Sequence, residues 1–213
     1  MSCSGPDLGS TALRTRAFFI WTGLFLTLGI PLGFAASSEY LAWRDPIYIS
    51  AGLAGVIALC LLLVQPLLAA GWLPGLHVLR SRRAHRVVGT ALVVSVIVHV
   101  TGLWITSPPD IEDALLFLSP TPFSIWGVTA MWALFAAAPL AAVRRRMSPR
   151  TWRIAHTSLA SVVVFGGAVH AMLIEGTMEP VSKGVLCALA AIATAAAVVT
   201  PWLRARRRAP GRR

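Results

Sequence analysis

Apolar residues fall along this chain in six long runs, roughly 17–37, 46–70, 87–106, 123–143, 154–174 and 182–203, with short polar segments between them. An α-helix rises about 1.5 Å per residue and a bilayer's hydrocarbon core is about 30 Å thick, so about 20 such residues cross it. Each run meets that length. The pattern predicts an all-α membrane protein, a six-helix transmembrane bundle. In the loop after the third run, DALLFL between Pro109 and Pro120 reads as a short interfacial helix. Pro66 in the second run marks a kink.

Composition agrees. The 213 residues are 56% hydrophobic and only 13% charged, outside the balance of a soluble domain. The net charge of +11 taken alone would suggest a nucleic-acid partner. Its distribution argues against one. Arg14 and Arg16, Arg80, Arg82, Arg83 and Arg86, Arg144, Arg145, Arg146, Arg150 and Arg153, and the six arginines from Arg204 to Arg213 occupy alternate connections. They make up seventeen of the nineteen Lys and Arg. The opposite side keeps Arg44 and Lys183 with seven of the eight acids. The positive-inside rule then predicts a multi-pass plasma-membrane protein with both termini cytoplasmic. Residues 1–16 read as a cytoplasmic tail, polar and disordered over 1–13, 17–203 as the membrane domain and 204–213 as a basic cytoplasmic tail. The first run reads as a retained helix, with a cleaved signal peptide as the alternative.

Within this apolar frame His85 and His99 lie in the third span, and His156 and His170 in the fifth. Members of each pair are fourteen positions apart, which on a helix is about 21 Å and within about 40° of one face. Both spans start on the Arg-rich side. His85 and His156 should therefore share one depth, and His99 and His170 another. An intramembrane histidine is costly and faces a partner inside the bundle, and one histidine from each of two helices is the axial set for a six-coordinate haem iron. The alternative is a set of interhelical hydrogen bonds.

One turn inward from the four histidines stand Gly89, Ser95, Ala160 and Gly166, small enough to leave a flat slot or to serve close packing, and Gly167 widens it. Leu92 and Val163, midway, would insulate two haems from each other. Arg82, Arg83, Arg86 and Arg153 are candidate propionate partners at the inner level, and Arg44 and Lys183 at the outer one; topology alone also explains the first group. Asp110, Glu112 and Asp113 could attract ferric ion or simply obey topology. His77 reads as interfacial, Cys60 and Cys187 as apolar packers, and the fourth and sixth spans as scaffold.

The segments RRAHRVVGTALVVSVIVHVTGLW and SPRTWRIAHTSLASVVVFGGAVHAML resemble the ferric reductase-like transmembrane domain, the haem-bearing core of iron reductases and NADPH oxidases. The resemblance spans about residues 50–200. It implies two b-type haems between the third and fifth spans, with His85 and His156 as iron ligands of an inner haem and His99 and His170 of an outer one. No Gly-rich dinucleotide fingerprint is present, so the expectation is a stand-alone form without the flavin and nicotinamide domain. Electrons would come from a cytoplasmic flavoprotein, a quinol or a ferredoxin-like donor and leave to an external acceptor such as ferric iron. The alternatives are a haem subunit serving a separate periplasmic or extracellular reductase, as in the methionine-sulfoxide reductase system of the same superfamily, an ascorbate-dependent di-haem cytochrome, and a non-enzymatic packing or assembly subunit. In enzyme terms the expectation is the electron-transfer subunit of an oxidoreductase.

Overall fold

The computed structural model describes residues 8–207; the ends of the two expected tails, 1–7 and 208–213, lie outside the described residues. Seven α-helices follow in order: α1 (Leu8–Ala36), α2 (Pro46–Ala70), α3 (Val78–Thr106), α4 (Pro108–Leu115), α5 (Pro122–Ala142), α6 (Pro149–Leu173) and α7 (Pro180–Arg207). All but α4 are long and apolar enough to cross a membrane. The six predicted spans are thus α1, α2, α3, α5, α6 and α7, and the protein is an all-helical, multi-pass membrane protein.

Helix starts follow local chemistry. Proline opens α2, α4, α5, α6 and α7, where its missing N–H has no helical acceptor to lose. Asp45 accepts the Ile47 amide at 2.7 Å, and Ser148 accepts that of Thr151 at 3.1 Å. His77, expected to be a bystander, caps α3 by accepting the Leu79 amide at 3.4 Å. The helices also reach beyond the apolar runs. α3 begins at Val78 and α6 at Pro149, so His85 and His156 each sit well inside a helix. α1 begins at Leu8, inside the stretch expected to be disordered. The interfacial helix is PPDIEDAL and not DALLFL, because Pro108 and Pro109 with Asp110 make a strong first turn. Phe117, at φ 59°, lies beyond its end.

The long helices pack as two hairpins. α3 lies along α2 and α6 along α5; α7 closes against α2 and α6, and α1 sits outside on α2 and α7. One core joins Leu59, Leu62, Leu92, Val163, Leu186 and Ala190. Its helix contacts are alanine-rich, with Ala51, Ala54, Ala58, Ala130, Ala133 and Ala168 all buried. The large side chains point the other way: Phe18, Phe25, Trp132, Phe165 and Ile192 are exposed. That inversion suits a lipid solvent, in which an outward phenylalanine costs nothing and close approach depends on small residues. The backbones of α3 and α6 make no extended contact, and side chains fill the gap between them, Leu92 and Val163 at its middle.

Candidate functional site

The gap between α3 and α6 is bridged at two levels by imidazole rings. At the Arg-rich end His85 and His156 have ring centres 6.3 Å apart and planes at 76°. Toward the acidic end His99 and His170 stand 6.5 Å apart at 79°. Leu92 and Val163 are buried between the levels.

Each ring at the acidic end is latched by its own hairpin partner. His99 Nδ1 is 2.8 Å from the Ala51 carbonyl on α2, and His170 Nδ1 is 2.9 Å from the Phe123 carbonyl on α5. A helical carbonyl points toward the residue four positions on, so a side chain there crowds a ring that approaches as a second donor. Those residues are Gly55 and Gly127. A Cβ at Gly55 would stand 2.9 Å from His99 Nδ1, and one at Gly127 only 2.5 Å from His170 Nδ1. Two glycines unmarked in the sequence reading thus admit the rings, and one of them lies in the span taken as scaffold. Both rings share the device, although the two segments, AGLAG from Ala51 and FSIWG from Phe123, have only that glycine in common. With a carbonyl as partner, Nδ1 carries the proton, and Nε2 keeps a free lone pair.

At the Arg-rich end the latches differ. His85 Nδ1 reaches the Gln65 carbonyl at a longer 3.3 Å, while His156 Nδ1 is buried without a partner and its ring stacks on Trp152. Gly89 gives room to the Gln65 amide, 3.0 Å from where a Cβ would be. Gly166 lets α6 close on α5, with Trp126 O and Ala130 Cβ both 3.2 Å from a Cβ there. Arg86 and Arg153 are exposed beside their histidines. Beside the acidic-end pair lies a cavity of about 510 Å³, lined among others by His99, His170, Gly55, Gly127, Arg44 and Lys183. Lys183 is buried and donates to the Ile174 carbonyl at 2.7 Å, and the Arg44 guanidinium lies 5.0 Å over Tyr48. Cys60 and Cys187 are buried free thiols.

A metal to imidazole-nitrogen bond is about 2.0–2.1 Å and a ring nitrogen sits about 1.1 Å from its ring centre, so trans imidazoles on one metal have centres about 6.3 Å apart. Both pairs have that spacing. Among the described residues no group of three or more His, Cys, Asp or Glu gathers for a bare ion. Two imidazoles therefore suit a metal that brings its other ligands with it.

The family model described as ferric reductase like transmembrane component matches residues 54–167, more than half of the chain. The chain belongs to the ferric reductase-like transmembrane family. The matched stretch holds His85, His99 and His156 and stops three positions before His170. Membership gives this protein a transmembrane electron-transfer role, and ferric reductase-like domains in general bind haem. Neither the curated proteins nor the solved structures gave a match.

Proposed function

We propose that the protein is a di-haem membrane cytochrome, carrying electrons from a cytoplasmic or quinol donor to an external acceptor such as ferric iron. Residues 17–203 form its unit in the plasma membrane, the flanking tails are cytoplasmic, and the Arg-rich end faces the cytoplasm. His85 and His156 would hold the iron of an inner haem b, and His99 and His170 that of an outer one. The observation that carries this reading is the pair of ring separations, 6.3 and 6.5 Å, at two levels of one seam between α3 and α6.

Haem, when bound, supplies one-electron exchange at iron. The chain supplies the rest. Ala51 and Phe123 carbonyls hold the proton on Nδ1 of His99 and His170, which leaves each Nε2 lone pair free to ligate. Gly55 and Gly127 give the rings of His99 and His170 their room, while Gly89 admits the Gln65 amide beside His85 and Gly166 lets α6 close on α5, so that both shape the slot at one remove. Arg86 and Arg153 stand at the inner level for propionate carboxylates, and Arg44 and Lys183 line the outer cavity for the same purpose. Leu92 and Val163 exclude water between the levels. An inside-negative potential favours outward electron movement by about 2.3 kcal/mol per 100 mV for a full crossing. Electrons arrive from a separate partner, a cytoplasmic flavoprotein or another donor, and a separate external reductase is an equally suitable recipient.

Reduced-minus-oxidised spectra with haem stoichiometry test the reading. The wild type should hold two b-type haems. His99→Ala and His170→Ala should each lose the same haem and keep the other, and His85→Ala and His156→Ala the converse. A wild type lacking haem bands overturns the reading, and loss of different haems from His99→Ala and His170→Ala overturns the level assignment.

A further inference from the structure

Three of the four histidines have Nδ1 within reach of a backbone carbonyl; His156 does not. A histidine ring has a broad, roughly two-fold torsion about its Cβ–Cγ bond, so a ring without such a partner needs another restraint to hold one plane. The restraint at His156 is Trp152, one turn earlier on the same face of α6. Its indole lies 4.9 Å from the imidazole, with 10° between the planes. The Arg144 guanidinium, from the turn joining α5 to α6, lies 5.5 Å over the indole. Trp152 Nε1 is itself buried without a hydrogen-bond partner, so no polar anchor accounts for the position of the indole. Ring stacking and the overlying cation do.

We propose that Trp152 is a positioning residue that fixes the plane of the His156 imidazole at the inner level. The proposal rests on the haem reading given above. Its consequence is electronic. The angle between two axial imidazole planes sets the anisotropy of a low-spin ferric signal, and at this level the planes cross at 76°. Rings held near perpendicular give a strongly anisotropic signal; a ring released to a spread of angles gives a broadened or less anisotropic one. At the outer level the carbonyl latches do this work, so the outer signal is independent of Trp152.

The test is electron paramagnetic resonance of the oxidised full-length protein, with haem content read in parallel by absorption. The inner signal is isolated in the His170→Ala background. Trp152→Phe keeps a stacking ring and Trp152→Leu does not. The expected result is a near-native inner signal in Trp152→Phe and a broadened or shifted one in Trp152→Leu, with the inner midpoint potential displaced in the same variant. Selective loss of the inner haem from Trp152→Leu, with retention in Trp152→Phe, also supports the proposal. An unchanged inner signal in Trp152→Leu at full haem content overturns it. Equal inner-haem loss in both variants overturns it too, since packing volume would then be the whole role. A wild type without haem would instead overturn the cytochrome reading on which it rests.

Discussion

Replacing Gly127 by alanine tests the latch at His170. The new Cβ would stand 2.5 Å from His170 Nδ1, 2.6 Å from Cε1 and 3.1 Å from Cγ, so ring or helix must move. Overpacking of this kind costs about 1–3 kcal/mol. If the ring swings away it leaves the Phe123 carbonyl, and a buried donor left unpaired costs about 1–3 kcal/mol more. At about 1.4 kcal/mol per tenfold, the two effects weaken outer-haem binding by roughly 30-fold to 20,000-fold. Gly55→Ala meets His99 at 2.9 and 3.0 Å and should fall near the mild end. Gly23→Ala on α1, where nothing lies within 4 Å of the added atom, is the control. The assay is haem titration into apoprotein, followed by difference spectra that count each haem. The expected order of damage is Gly127→Ala, then Gly55→Ala, then Gly23→Ala, with the inner haem retained throughout. Full outer-haem occupancy at native affinity in Gly127→Ala would refute the reasoning, because it would mean that the carbonyl latch contributes nothing to ligation.

Lys183→Met removes both the donor to Ile174 O and a cation of the outer cavity. Outer-haem retention should drop while the inner haem stays, and thermal unfolding should register a loss of about 1–3 kcal/mol; unchanged retention would remove Lys183 from the site. Glu179 gives a pH prediction outside the membrane. Its carboxylate accepts the Ser182 and Val181 amides at 2.6 and 2.8 Å, and these bonds hold its pKa below the usual 4.5. A depressed carboxylate pKa stabilises the fold above the unfolded value, and that stabilisation is lost as pH falls through the lower folded one. Protection of the Val181 and Ser182 amides, that is their exchange relative to the intrinsic rate at each pH, should therefore stay constant above pH 4.5 and fall below it, and Glu179→Ala should abolish the dependence. A loss of protection that begins well above pH 4.5 in the wild type would contradict this.

Hydropathy located the spans because solvation by lipid is a property of composition, readable in any 20-residue window. It placed helix ends less well. The helical segments before His85 and His156 are rich in arginine, a good helix former but a poor membrane residue, so the hydropathy minimum fell inside each helix. The four histidines were legible because an imidazole in an apolar run is rare and because a fourteen-residue interval on a helix has one geometric meaning. Gly55 and Gly127 were not, although each lies four positions after the carbonyl that holds a ring. That interval has meaning only once α2 is known to pair with α3 and α5 with α6, and sequence spacing within one helix says nothing of its neighbour. Trp152 was visible one turn before His156, but its stacking depends on side-chain torsions that no periodicity records.

Among the described residues, no hydrogen bond joins the α2–α3 hairpin to the α5–α6 hairpin. Each latched ring is tied to its own half, and what joins the halves is apolar packing: Leu59, Leu62, Leu92 and Val163 share one core, Leu62 lies against Gly167, and α7 packs on both hairpins. Dispersion contacts carry no direction, whereas a hydrogen bond does. The seam between the halves is therefore the one place in the bundle where a small change of spacing breaks no directional bond, while the orientation of His99 and His170 is fixed from within each half.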